Sequence, residues 1–140
     1  MWNVPSPSVP EKKCCERKEL CHLKYLEIII RPERYTATKE ALAAGRFYSA
    51  ITFDVLGRGK KACHYALHDA AESEEEQFSI PFLCKKFIGI YALDEEVEEI
   101  ISIVKSVNST GSEGDGKIFV YALEEATRIS NGMTGEDALV

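Results

Sequence analysis

Residues 23–31, LKYLEIIIR, alternate in character along the chain and decide how the rest of the sequence is interpreted. Successive side chains of a strand point to opposite faces, so a repeat of two residues is typical of a β-strand. One side of this stretch is apolar and the other is mixed: Leu26, Ile28 and Ile30 against Tyr25, Glu27 and Ile29. The pattern therefore predicts a strand over 23–31, which Pro32 ends.

A helix and a second strand are predicted after Pro32. Residues 34–44 contain good helix formers, with Tyr35 and Leu42 spaced to lie on one face, and Gly45 is a typical C-terminal stop. Residues 47–56 are rich in β-branched and aromatic residues, which favour a strand. The first half of the sequence therefore has the order β-α-β.

The same order returns after a long polar segment. Residues 82–93 form the predicted third strand, and Asp94 is expected to cap a helix that ends at Asn108. Residues 117–122 form the fourth strand, and a helical turn is predicted over 124–128. The second half therefore repeats β-α-β.

Two β-α-β halves predict an α+β, ferredoxin-like β-α-β-β-α-β sandwich with a long loop after strand two. Its four strands are antiparallel and both helices lie on one face of the sheet. We expect residues 23–140 to form this domain and residues 1–22, which are rich in proline and charge, to form a flexible tail. The uncovered face would carry partly apolar residues, so self-association is expected: Ile29, Phe53, Tyr91 and Phe119.

Composition excludes several classes of function. The 140 residues suit one domain, and 23 acidic against 17 basic residues give a net charge of −6. Nucleic-acid binding is disfavoured because neutralising phosphates requires a basic surface. The sequence has no apolar run of the roughly 18 residues that cross a membrane, nor an N-terminal apolar signal region. We therefore expect a cytoplasmic protein without direct membrane insertion.

Five cysteines form a poor disulfide framework, and thiols in the cytoplasm stay reduced. The cluster of Cys14, Cys15, Cys21 and His22 leaves zinc binding open as an alternative, although it lacks CxxC spacing. Cys63 next to His64 does not form a catalytic pair, because neighbours on an extended chain point in opposite directions. We assign no catalytic residue and no metal ligand, and we expect a protein that is not an enzyme.

Two short glycine segments contain the candidate chemistry. They are 57–61, GRGKK, directly after strand two, and 114–117, GDGK, directly before strand four. Glycines let the backbone turn several N–H groups towards one point, and lysines add positive charge, so together they predict an anion-binding cradle. Lys85 and Arg128 could reach the same rim. Each segment alone is weak evidence, and a Gly-Asp-Gly run is more often a simple turn.

These residues resemble a known family. The run 114–120, GDGKIFV, resembles the C-terminal signature of the P-II nitrogen-regulatory proteins, as do 28–32, IIIRP, and 134–138, TGEDA. The resemblance covers about residues 23–139. Residues 55–60, VLGRGK, and 107–111, VNSTG, are most similar to the branch of the family associated with nitrogenase.

The resemblance implies a homotrimer that binds ATP or ADP in the clefts between subunits, with 2-oxoglutarate and magnesium in many members. It also implies a T-loop at about 59–81 that docks on a protein target, either nitrogenase or another nitrogen-metabolism protein. By position, Gly59 and Lys60 would line the nucleotide at the loop base. The phosphates would lie against Lys85, Gly114, Asp115, Gly116, Lys117 and Arg128, and the adenine against Ile29, Ile51, Gly89 and Tyr91.

Three positions depart from the family pattern. Lys61 replaces a glutamine that helps to bind magnesium and 2-oxoglutarate, and a protonated ammonium repels a metal ion. Lys61 could instead pair with a nucleotide phosphate or with the 2-oxoacid. Ser130 replaces a second arginine and Ile51 replaces a threonine. Binding of magnesium and 2-oxoglutarate is therefore left open, and the alternative is a degenerate trimeric protein-interaction module that no longer senses ligand.

Overall fold

The computed structural model describes residues 22–59 and 82–140. A short 3-10 helix leads into each α-helix, over Pro32–Arg34 and Asp94–Glu96, and another lies at Gly135–Ala138. The main elements are β1 (Leu23–Ile30), α1 (Tyr35–Ala44), β2 (Ile51–Gly57), β3 (Leu83–Leu93), α2 (Val97–Asn108) and β4 (Lys117–Ala122). The predicted order of strands and helices is confirmed.

The four strands form one antiparallel sheet in the order β2-β3-β1-β4. β1 lies in the middle, where Ile28 pairs with Ile88 of β3 on one side and Ile118 of β4 on the other. Each strand pair matches the ferredoxin-like arrangement that the sequence predicts.

The alternating pattern of β1 places one face of the sheet against the helices. Leu26, Ile28 and Ile30 are buried there, and Ile100 of α2 packs into the same cluster. The apolar stripe of α2 supplies Val97 and Val104 to this core, because residues three and four apart share one side of a helix. The core therefore fixes β1, and with it the residue that follows β1, Arg31.

The predicted role of Asp94 as the helix cap is wrong. The turn begins one residue earlier, and the Glu96 carboxylate accepts the N–H of Leu93 at 2.8 Å. Asp94 instead forms an ion pair with Lys24 of β1 at 3.3 Å. A glutamate three residues into a turn can reach back to the first N–H, and it takes the place that the sequence assigns to Asp94.

The second strand begins at Ile51, so the predicted start at Phe47 is wrong. The N–H of Phe47 donates to the carbonyl of Leu42 at 2.9 Å, and Arg46 has φ +69°. The backbone at this point therefore closes the end of α1 and is not available to a sheet. The Phe47 side chain still packs against the core, which explains its apolar character.

The helical turn predicted over 124–128 is also wrong. Thr127 forms an isolated antiparallel bridge with Thr134, and the N–H of Arg128 donates to the carbonyl of Met133 at 2.8 Å. The chain after β4 therefore folds back on itself as a hairpin-like turn. Pairing with residues further along the chain replaces the local hydrogen bonds that a helix would make.

No other part of the chain within residues 22–59 and 82–140 covers the face of the sheet opposite the helices. Ile51 is 52% exposed, and Phe53, Tyr91 and Phe119 are also exposed. The aromatic rings stack on one another, with 4.4 Å between the ring centroids of Phe53 and Phe87. The prediction of a partly apolar open face is confirmed.

Candidate functional site

The antiparallel sheet brings both predicted glycine segments to one end. The last residues of β1 and β2 lie beside the first residues of β3 and β4, since neighbouring strands run in opposite directions. Ile29 pairs with Lys117, and Val55 pairs with Lys85. Gly57–Gly59 and Gly114–Lys117 therefore both reach the end of the sheet where Lys85 stands. Lys60 and Lys61 lie outside the described residues.

The segment before β4 needs its glycines. Gly116 has φ +119°, and a Cβ atom built on it would lie 2.0 Å from the carbonyl oxygen of Ile29. Gly114 also has a positive φ, +93°. Residues that carry a side chain rarely adopt a positive φ. Glycine at these positions therefore lets the backbone of the loop approach the backbone of β1 directly. Both glycines are exposed.

The carboxylate of Asp115 holds this loop together from inside. It accepts hydrogen bonds from the N–H and the hydroxyl of Thr110, at 2.7 and 2.5 Å, and from the N–H of Gly111 at 3.1 Å. The Ser112 hydroxyl lies 3.3 Å from it. Hydrogen bonds from Thr110 first, and then the charge and hydrogen bond of Arg31, hold the pKa of Asp115 well below its usual range.

Arg31 is the charged partner of this carboxylate. Its Nη1 donates to Oδ1 of Asp115 at 2.8 Å, while Nη2 donates to the Ser112 hydroxyl at 3.0 Å and to the Glu113 carbonyl at 3.2 Å. None of the hydrogen bonds in this network uses the N–H groups of Gly114 or Gly116. The network therefore shapes the loop without using those two backbone N–H groups.

Two lysines border the loop. Lys85 donates from Nζ to the carbonyl of Gly114 at 3.3 Å, and Lys117 is exposed at the start of β4. Neither lysine forms an ion pair with a carboxylate within residues 22–59 and 82–140. Backbone donors and two uncompensated ammonium groups make this end of the sheet suited to an anion.

The four residues expected around the adenine all lie on the open face of the sheet. Ile51 of β2 pairs with Gly89 of β3, so these two residues lie side by side. Ile29 of β1 pairs with Lys117, at the start of β4. Tyr91 stacks on Tyr25 with ring centroids 4.8 Å apart. A Cβ atom on Gly89 would lie 2.6 Å from the Tyr25 hydroxyl oxygen, so the packing of Tyr25 accounts for this glycine.

Arg128 does not join the glycine loop within one chain. Its Nε donates to the carbonyl of Ala138 at 3.4 Å, and its Nη2 donates to the carbonyl of Val140. β4 leads away from the glycine loop before the chain reaches Arg128. A place for Arg128 at the phosphate cradle therefore stays a prediction for an assembly in which another subunit supplies it.

Sequence reasoning missed Arg31, Thr110 and Ser112 as parts of this site. The signal that could have found Thr110 is its spacing from Asp115, because an aspartate often accepts nearby loop N–H groups. Arg31 had no comparable local signal. It stands 84 positions from Asp115 along the chain, and only the β1–β4 pairing brings the two together.

The low pKa of Asp115 gives an expected dependence of stability on pH. A depressed carboxyl pKa contributes stability that is complete above the unfolded value of about 3.9 and is lost as pH falls towards the folded value. Asp115→Asn removes this contribution. We therefore expect the free energy of unfolding of the parent to fall more steeply below about pH 4 than that of the variant.

Urea unfolding between about pH 5 and pH 3 measures this difference. Asp137→Asn, which alters an exposed carboxylate, is the matched control and should follow the parent. Parallel profiles for the parent and Asp115→Asn would show that the loop network does not stabilise the charged carboxylate.

Comparison with known proteins identifies the class. A family profile for nitrogen regulatory protein P-II matches residues 23–133. A nitrogen-fixation nifHD-region GlnB-like protein 2 of Methanobacterium ivanovii is 34% identical over 123 residues, which cover 84% of this chain and 100% of that protein. GlnK of Escherichia coli K12 is 34% identical over 117 residues, which cover 84% of this chain and 100% of that protein.

Solved structures agree with these relatives. The chain matches a Bacillus subtilis GlnK–ATP complex with a TM-score of 0.67 at 27% identity, covering 85% of this chain and 99% of the other. It matches Arabidopsis thaliana PII bound to citrate with a TM-score of 0.62 at 27% identity, covering 84% of this chain and 89% of the other.

The protein belongs to the P-II family of nitrogen regulatory proteins, and the predicted family and ferredoxin-like fold are confirmed. The nifHD-region proteins among its relatives support the nitrogenase-associated branch. No helix within the described parts of the chain is long and apolar enough to span a membrane.

Proposed function

We propose that this protein is a cytoplasmic P-II-type regulator, not an enzyme, that binds ATP or ADP between the subunits of a homotrimer. The observation that carries this proposal is the Gly114–Lys117 loop. It packs closely against the backbone of β1 and is bordered by Lys85 and Lys117. Glycine N–H groups, and lysine ammonium groups that form no ion pair within the described residues, match the charge of a nucleotide phosphate chain. The ATP complex of the related Bacillus subtilis GlnK supports the same ligand class.

The open face of the sheet supports the position of the base and of the partner subunit. Ile29 and Ile51 offer apolar surface on the face next to the phosphate cradle. The exposed aromatic residues of this face are suited to burial against other copies of the chain. A cleft between subunits draws on two chains, so Arg128 of a neighbouring subunit could complete a cradle that it does not reach alone.

The T-loop at about 59–81 is the proposed contact with a target protein in nitrogen metabolism. The names of the nifHD-region relatives make nitrogenase the leading candidate target. A ligand shifts such a loop only by binding one conformation better than another. ATP and ADP would therefore act as signals by favouring different loop conformations.

Magnesium does not fit the described part of the site. Asp115 is the one carboxylate between Gly114 and Lys117, and its oxygens already accept hydrogen bonds from Thr110, Gly111 and Arg31. The described residues contain no cluster of metal-binding side chains. Lys61 adds a cation where the family has a glutamine, so we propose that nucleotide binding here does not depend on magnesium.

Calorimetric titration with ATP and ADP, each with and without magnesium and 2-oxoglutarate, tests this function. We expect binding of both nucleotides by the folded protein, with affinity that magnesium changes little. Enhancement by 2-oxoglutarate would identify an intact 2-oxoacid sensor, and indifference would mean that Lys61 has changed the signal. Folded protein that binds no nucleotide would overturn the proposal and favour the degenerate protein-interaction module.

Lys117→Ala is the informative variant for the same titration. Loss of a charge-assisted contact to phosphate should weaken ATP binding by about 10–100-fold. Lys105→Ala removes an equal charge from the exposed side of α2 and should leave the affinity unchanged. Equal affinities of the two variants would contradict the placement of phosphate at Lys117.

A further inference from the structure

We propose that Arg31 is a positioning residue for nucleotide phosphate: it shapes the glycine loop and neutralises the carboxylate inside it. This inference rests on the proposed function, because it concerns the same phosphate cradle. Arg31 is not among the residues that the resemblance assigns to the nucleotide. Its place follows from the three hydrogen bonds that it donates to Asp115, Ser112 and Glu113.

The shape of the guanidinium explains why an arginine stands here. Nη1 bonds to the Asp115 carboxylate while Nη2 bonds to both the Ser112 hydroxyl and the Glu113 carbonyl. A planar fork holds these acceptors in fixed relative positions, whereas an ammonium is a single point charge on a flexible stem. Arg31 follows directly after β1, whose preceding residue Ile30 is buried in the core. Arg31 therefore ties the loop to the end of a strand with side chains buried in the core.

Charge gives Arg31 its second role. Asp115 lies between the two glycines whose N–H groups form the cradle, so its negative charge is close to any bound phosphate. In the structure the carboxylate is paired with Arg31 at 2.8 Å. Without that partner an uncompensated carboxylate would repel the ligand. The repulsion grows with the charge of the ligand. The loss of affinity should therefore be largest for ATP, smaller for ADP and smallest for adenosine.

A purely structural role for Arg31 gives a different pattern. General disorder of the fold would lower thermal stability and weaken every ligand alike. A positioning role weakens ligands in proportion to their phosphate charge and leaves the folded core in place. The ratio of ATP to adenosine affinity therefore separates the two.

The experiment compares Arg31→Gln with the parent and with Arg34→Gln, which removes the same charge from an exposed position three residues away. ATP and ADP are titrated by calorimetry, and adenosine is measured by its displacement of bound ATP. We expect Arg31→Gln to lose about 10–100-fold in ATP affinity, less for ADP, and about twofold or less for adenosine. Arg34→Gln should match the parent for all three ligands.

Two further variants separate charge from geometry. Arg31→Lys keeps the charge and loses the fork, so its ATP affinity should fall between those of the parent and Arg31→Gln. In an Asp115→Asn background, the same Arg31→Gln change should cost less than it does in the parent, because the repelling charge is gone and only the hydrogen bonds to Ser112 and Glu113 are lost. The thermal unfolding of each variant is recorded to confirm that the core is intact.

The outcomes distinguish this inference from the proposed function. A parent protein that binds no nucleotide overturns the function itself. A parent that binds ATP, with Arg31→Gln equal to Arg34→Gln, overturns only the role of Arg31. Equal losses for ATP and adenosine would reduce Arg31 to a structural residue. An undiminished Arg31→Gln effect in the Asp115→Asn background would overturn its neutralising role.

Discussion

Gly116→Val is expected to abolish measurable ATP binding while the protein remains folded. Gly116 has φ +119°, and its first side-chain atom would lie 2.0 Å from the carbonyl oxygen of Ile29. That oxygen is backbone in the central strand and cannot move aside, so the loop must leave β1. A non-glycine residue in this conformation costs about 1–3 kcal/mol even before the clash. The displaced N–H groups should lower ATP affinity by at least about 100-fold, as measured by calorimetry.

Gly111→Ala is the matched control for this experiment. Gly111 lies in the same loop with φ +76°, but a Cβ atom there has no neighbour within 4 Å. The substitution therefore introduces the backbone strain without the clash, and it keeps the N–H that donates to Asp115. We expect its ATP affinity to stay within about tenfold of the parent. Similar affinities for Gly116→Val and the parent would contradict the cradle.

Ile100→Ala is expected to cause the largest loss of stability. The side chain of Ile100 is 0% exposed and belongs to the cluster that joins α2 to β1 and β3. Truncating a buried isoleucine to alanine removes about 2–5 kcal/mol from the free energy of unfolding, because it leaves a cavity as well as lost contacts. Urea unfolding at a fixed chain concentration measures this change, since stability of an oligomer depends on concentration.

Ile129→Ala removes the same atoms from a fully exposed position. Ile129 is 100% exposed in the single chain, so we expect a change of less than about 0.5 kcal/mol. A loss for Ile100→Ala below about 2 kcal/mol would contradict the assignment of the core. A large loss for Ile129→Ala would instead indicate that a partner subunit buries this residue.

The fold was largely predictable because its main signals are local. The alternation of 23–31 reports which side of β1 is buried, and the stripe from Val97 to Val104 does the same for α2. The three errors occurred where a tertiary or longer-range contact overrides a local preference. Glu96 takes the capping role expected of Asp94, and the bridge to Thr134 replaces a helical turn over 124–128.

The candidate site was predictable only where its residues lie close together in the sequence. Gly114, Gly116 and Lys117 carry their chemistry in a short run, so the sequence alone suggests an anion cradle. Arg31 could not be found in this way, because its role depends on a partner 84 positions away. Sequence likewise does not reveal that Arg128 bonds to the C-terminal segment within its own chain. Contacts between strands, and between subunits, decide these roles.

Copies of this chain are expected to assemble as a trimer and to bind adenine nucleotide between them. Native mass spectrometry of the intact protein with excess ATP measures both properties in one spectrum. We expect a species of three chains carrying up to three ATP molecules, and a loss of bound ATP in the Gly116→Val trimer. A trimer that carries no ATP, or a single chain that binds ATP as well as the assembly does, would contradict nucleotide binding between subunits.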